Sequence, residues 1–441
     1  MKITSIDIID VANDFSSATS KWRPTVVRVN TDEGISGFGE VGLAYGVGAS
    51  GGIGVAKDLS ALLIGMNPMD TEAIWEKMLR KTFWGQGGGI FSAAMSGLDI
   101  AMWDIKGKAL NVPLYVLLGG KSRDSIRAYA SQLQFGWGGG TDKAMLVSPE
   151  QYADVARVAV SEGYDAIKVD VLAMDEHGNW NQRDLKGLLP DNILRLGYDR
   201  LKAMRDAIGP DVDIIVEMHS FTSAAPAIQF GRMIEELGVL YYEEPVMPLN
   251  PKMMKQVADH VNIPLASGER IYWRWGYRPF LEDGSLSVIQ PDICTCGGIS
   301  EVKKICDMAY VYDVTVQIHV CGGPISTAAA LHMEAAIPKL HDPRTAPLCP
   351  AGTQHQDLPP QLHAQQGPLH RSRTARPWPG TDARDHRRLG HHHRQVRLPQ
   401  GGDTARLQPD TKKPGLIRAP AFCCLCFCGQ KRKKGLRFRK P

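Results

Sequence analysis

The chain lacks most of what a secreted or membrane protein needs. Cysteine is sparse through residue 339, where Cys294, Cys296, Cys306 and Cys321 are the whole supply, and their spacings are not those of a disulfide framework. No apolar run reaches the roughly 20 residues that cross a bilayer. The opening MKITSIDIID alternates apolar and polar residues where a signal peptide would carry an unbroken apolar stretch. A cytoplasmic protein with reduced thiols is the expectation. Three glycine-rich stretches, GVGASGGIG at 46–54, WGQGGG at 84–89 and FGWGGG at 135–140, never run into GK[ST] or open as a dinucleotide fingerprint, so no nucleotide site is expected. The first two suit capping loops, with Tyr45 and Trp84 as candidate substrate contacts.

Glutamate is missing altogether from residues 340–441, and that absence divides the chain. This stretch holds 20 Lys and Arg against 6 Asp, and eight of the 13 histidines. The remainder holds 31 basic and 41 acidic residues, so the overall charge of +4 hides an acidic body and a basic tail. With 441 residues, 43% of them hydrophobic, two or three domains with a large core are possible.

Residues 1–125 mix strand-like pieces, TVVRVNTDEG and SGFGEVGL, with the helical FSAAMSGLDIAMWDIKGKAL, where Met95, Leu98, Met102 and Ile105 recur at helical spacing. From residue 126 to 339 short β runs alternate with amphipathic helices. Seven strands are predicted, at IRAYA (126), AIKVD (166), DIIVE (213), VLYYEE (239), IPLASGE (263), LSVIQPD (286) and TVQIH (315). Strands alternating with helices at a near-constant step predict parallel βαβ units and a closed (β/α) barrel in an α/β fold.

Glu217, Glu243 and Glu269 end three of these runs at steps of 26 residues, which would bring three carboxylates to one rim. Oxygen ligands at a rim suit a hard divalent cation such as Mg²⁺. Acidic strand ends also form rim salt bridges, but three in phase favour the metal. Asp292 and His319 end neighbouring runs, and a carboxylate beside an imidazole fixes its tautomer and raises its basicity, as a general base requires. His219, two residues past Glu217, is expected to face the same cavity by strand alternation. Lys168 reaches the rim by the same logic, either to meet a substrate carboxylate or to sit in a rim ion pair.

These motifs together, SGLDIAMWDIKGKALNVPLYVLLGGK, the glutamate ladder with EEP at 243–245, GE at 268–269, QPDICTCGGISE at 290–301 and His319 in QIHVCGGP, resemble the enolase superfamily. Within it the chain is similar to the mandelate racemase-like branch and its galactonate dehydratase-type acid-sugar dehydratases. The resemblance implies an N-terminal α+β capping domain over a modified TIM barrel. It also implies Mg²⁺ on Glu217, Glu243 and Glu269, an Asp292–His319 base, His219 as acid, and a homo-oligomer acting on a small sugar acid, with no nucleic-acid or membrane partner. Racemases of this branch place a second lysine where this chain has Asp170, so dehydration is expected over racemisation or epimerisation.

After AAIP the family's eighth strand runs roughly NFMIHE, whereas this chain reads KLHDPRTAPLCP. Codons can be chosen for HDPRTAPLC that, read one nucleotide later, spell MIHELHRY. The same offset recovers three further family-like segments in order. Residues 340–441 are therefore read as a frame-shifted, disordered tail that has cost the barrel its eighth strand and could leave the chain inactive. The basic KRKKGLRFRK, suggesting nucleic acid, and the CCLCFC and HHH clusters, suggesting a metal, leave that buried family text unexplained. Sequencing the gene should reveal one extra nucleotide near codon 339; an intact frame with no recoverable alternative would refute the reading.

Overall fold

A computed structural model describes residues 1–11, 24–42, 48–137, 145–180, 185 and 187–338. The expected tail, Tyr45 and the first two residues of GVGASGGIG lie outside the described residues, while the rest of that candidate capping loop is described and from Ala49 onward is helical. The chain opens with an antiparallel sheet of β1 (Ile3–Asp10), β2 (Thr25–Thr31) and β3 (Ser36–Val41) in the order 1-2-3. Helices α1 (Ala49–Leu63), α2 (Thr71–Lys81), α3 (Gly89–Leu110) and the short α4 (Leu114–Leu117) follow.

Residues from α5 (Pro149–Ser161) onward alternate helix and strand: β4 (Ala166–Val169), α6 (Asp191–Ile208), β5 (Asp213–Glu217), α7 (Ala224–Ile234), β6 (Val239–Glu243), α8 (Pro251–Ala258), β7 (Leu265–Ser267), α9 (Trp273–Glu282), β8 (Val288–Ile289), α10 (Gly298–Val311), β9 (Thr315–Val316) and α11 (Pro324–Ala336). Strands β4 to β9 pair in sequence order, all parallel. This is a modified TIM barrel beneath an N-terminal α+β layer. Side chains alternate along each strand: Ile215, Tyr241, Ala266 and Val288 fill the barrel interior, while Ile214, Val216 and Tyr242 pack outward under the helices.

One expected strand is reduced. IRAYA contributes a single parallel bridge, Ala130 to Ile167, because the next residues turn away through Gln132 at φ +63°. Among the described residues the sheet ends at β9. No described helix is long and apolar enough to cross a membrane.

The glycines of SGFGE explain how the upper layer seats. A Cβ at Gly39 would lie 1.9 Å from the Gly97 carbonyl oxygen, and one at Gly37 would lie 2.1 Å from that of Ala101. Bare backbone on alternate residues of β3 therefore lets α3 lie directly on the sheet. Nothing flexible stands in the way to yield, so Gly39→Ala should destabilise the protein by about 3 kcal/mol. Urea denaturation reads this directly, and unchanged stability would mean α3 is free to shift.

Candidate active site

Glu217 and Glu243 are register partners on β5 and β6, and Glu269 follows β7 by two residues. One oxygen from each lies within 4.8 Å of the others, and all three side chains are buried or nearly so. Like charges this close and this dry need compensation. Lys168, 1% exposed, donates to Glu217 at 3.1 Å and to Glu243. Its charge is thus engaged by the two glutamates, the ion-pair arrangement.

Glu217 Oε1 also accepts from the Met218 and His219 amides, whereas Glu243 Oε2 is buried with no partner. Burial works against every charge here. For Glu217, Lys168 and then His219 outweigh burial and bring its pKa down to about 2. For Glu243, burial and the Glu217 charge push it up to about 8. A pair that cannot fully ionise together, with one orphaned oxygen, is a donor set that fits a divalent cation.

The two histidines stand at opposite members of this cluster. His319 bonds through Nδ1 to Asp292 at 2.8 Å and through Nε2 to Glu269 at 3.0 Å. Burial disfavours its charged form, but Glu269 and then Asp292 outweigh burial and raise its pKa to about 10. His219 bonds through Nδ1 to Asp170 at 2.7 Å, and its Nε2 lies 3.4 Å from Gln132 Nε2. Again burial is overcome, here by Glu217 and then Asp170, and the pKa rises to about 9.

His219 does reach the cavity of Glu217, although strand alternation is not the cause. The strand ends at Glu217, and His219 at φ +46° and Ser220 at φ +59° form a left-handed turn tied by the His219 amide to Glu217 Oε1 at 2.8 Å. Glu244 at φ +45° and Trp273 at φ +56° share that strained conformation. Such outliers persist where surrounding structure over-determines them, commonly at functional sites.

Arg270 joins the two halves. Its guanidinium pairs with Glu269 at 2.9 Å and with Glu244, and donates to the His219 carbonyl at 2.9 Å. Neither this arginine nor the orienting role of Asp170 was expected, although Asp170 lies two residues beyond Lys168 and so carried a signal in its spacing. Trp84 is 90% exposed, with its ring 5.0 Å from that of Phe83.

Residues 13–119 match the mandelate racemase/muconate lactonizing enzyme N-terminal domain, and residues 151–377 match the enolase C-terminal domain-like family. The chain is 34% identical to D-galactonate dehydratase of Variovorax paradoxus over 337 residues, 76% of this chain and 78% of that protein. It is also 34% identical to that of Ralstonia pickettii over 312 residues, 70% of this chain and 74% of the relative. Among solved structures, an enolase superfamily member from Salmonella Typhimurium is 80% identical with a TM-score of 0.75, covering 77% of this chain and 86% of that one. The 3,6-anhydro-D-galactonate cycloisomerase of Zobellia galactanivorans is 28% identical with a TM-score of 0.64, over 77% and 86%. The chain belongs to the enolase superfamily, in the branch of mandelate racemase and muconate lactonizing enzyme.

Proposed function

We propose that the chain is a lyase that dehydrates a sugar acid, an aldonate or aldarate, to a 2-keto-3-deoxy acid with the help of Mg²⁺. The observation that carries this reading is a pair of imidazoles, each held by its own carboxylate, one beside Glu217 and the other beside Glu269. The names of the galactonate dehydratases support the substrate class. In this reading residues 1–125 cap the site, residues 126–339 carry it, and the protein works in the cytoplasm as a homo-oligomer.

Glu217, Glu243 and Glu269 would hold the Mg²⁺, which when bound supplies positive charge to a substrate carboxylate as its α-carbon loses a proton. Asp292 holds His319 Nδ1, leaving Nε2 as the atom that takes the α-proton. Glu269 is the chief influence raising His319, so compensation of that carboxylate readies the imidazole to act as a base. Proton removal leaves an enediolate. His219, oriented by Asp170 at Nδ1, gives its Nε2 proton to the departing β-hydroxyl. Water leaves, and the resulting enol tautomerises to the keto acid. Lys168 and Arg270 balance the buried carboxylates throughout.

Two histidines in these positions would also serve an epimerase, which moves a proton from one face of the α-carbon to the other. Product analysis separates the readings. A screen of aldonates and aldarates with Mg²⁺ should yield a 2-keto-3-deoxy acid from at least one. His319→Asn should then lose about 10²- to 10⁴-fold in turnover together with exchange of the substrate α-proton in D₂O. His219→Gln should lose elimination while retaining that exchange. An inverted sugar acid with no keto acid would overturn the dehydratase assignment.

A further inference from the structure

The two loops that follow the base residues repeat a short pattern, CGGIS at 296–300 after Asp292 and CGGPIS at 321–326 after His319. Each opens a barrel helix, α10 or α11, and neither helix has a side-chain cap from its own N-cap glycine. In both cases a buried carboxylate of the capping layer reaches the first turn instead. Asp99 on α3 accepts from the Ser300 amide at 2.9 Å and the Ser300 hydroxyl at 2.6 Å. Glu40 on β3 accepts from the Gly323 amide at 2.6 Å and the Ser326 amide at 3.2 Å. Carboxylates at helix N-termini satisfy amides that have no partner within the helix.

The glycine pairs make room for this. A Cβ at Gly298 would stand 2.4 Å from Asp99 Oδ2, and one at Gly322 would stand 2.8 Å from Glu40 Oε1. Further ties converge on the same loops. The Gly297 amide donates to Ser96 Oγ, Trp75 donates to the Gly297 carbonyl and Trp103 to Ser300 Oγ, each at 2.8 Å, and the Gly42 amide donates to the Cys294 carbonyl at 2.9 Å. Across these loops lies the dyad itself, with the Cys294 amide on Asp292 Oδ1 at 2.7 Å and a parallel bridge joining Asp292 to His319.

We propose that Glu40 and Asp99 are positioning residues: from the capping layer they pin the loops that bear Asp292 and His319 and so set the geometry of the catalytic base. Neither touches the reacting atoms. This rests on the dehydratase reading for its kinetic consequence, while the contacts themselves stand independently. Burial pushes both carboxyls up to about 7, against the pull of the Gly323 and Ser326 amides on Glu40 and of the Ser300 amide and hydroxyl on Asp99. The two sites differ in a useful way. Both oxygens of Glu40 face backbone N–H groups, so a glutamine would set its NH₂ against one of them. Asp99 faces one N–H and one hydroxyl, and since a hydroxyl can also accept, an asparagine can satisfy both.

The test compares Glu40→Gln, Asp99→Ala and Asp99→Asn in the full chain. Glu40→Gln and Asp99→Ala should lower kcat by about 10- to 100-fold with KM within about threefold, as small misplacements of a catalytic group do. Asp99→Asn should keep most of the activity. The low-field proton resonance of the His319–Asp292 hydrogen bond should broaden or vanish in the first two, and amide exchange should quicken over 297–300 and 321–326. Full kcat in folded Glu40→Gln and Asp99→Ala would overturn the proposal, as would lost activity with the resonance and exchange unaltered. If Glu40→Gln does not fold, the Asp99 pair decides, because equal loss in alanine and asparagine would contradict the account. Should no sugar acid turn over, the dehydratase reading fails, and the resonance and exchange data still report whether the pins hold the dyad.

Discussion

Three carboxylates buried within 4.8 Å of one another are the constraint around which this molecule is arranged. In a poorly solvated site the repulsion among them is large, and nothing about folding a barrel requires it. The fold meets the cost with Lys168 between two of them, Arg270 on the third, and His219 and His319 at either end. Compensation is incomplete, as the unpartnered Glu243 Oε2 shows. Such a cluster is a donor set that a divalent cation would complete.

The same charges act on the two histidines. Each imidazole is raised by the ladder carboxylate beside it and fixed in orientation by a second carboxylate at Nδ1. Their partners come from different strands, Asp170 after β4 and Asp292 after β8, so the arrangement depends on barrel geometry and on the strained turns that end β5 and β6. The upper layer enters as well. The sheet and α3 close on one another through bare glycine backbone, and that contact brings Glu40 and Asp99 down onto the loops that follow Asp292 and His319.

Much of this was legible in the residues. The step of 26 between Glu217, Glu243 and Glu269 and the pairing of Asp292 with His319 depend on chain spacing, which a repeated βα unit converts directly into spatial neighbourhood. What escaped were features set by local dihedrals and by contacts distant in sequence. The left-handed turn at His219 is invisible to strand alternation, and IRAYA reads as a strand although Gln132 turns the chain after one bridge. Lys168 could be placed at the rim but not between its glutamates, since that depends on side-chain reach across three strands. The contacts of Glu40 and Asp99 span 283 and 201 residues, and no local pattern reports them.

Calorimetric titration with Mg²⁺ near pH 7, in buffers of differing ionisation enthalpy, tests the central claim most directly. Glu243, raised to about 8, holds its proton at that pH in the free protein, while an ion requires the carboxylate. Binding should therefore release a proton below pH 8 and weaken as the pH falls further. The account predicts one Mg²⁺ per chain with on the order of one proton released, and loss of both in Glu243→Gln. Binding without proton release, undiminished in Glu243→Gln, would contradict it.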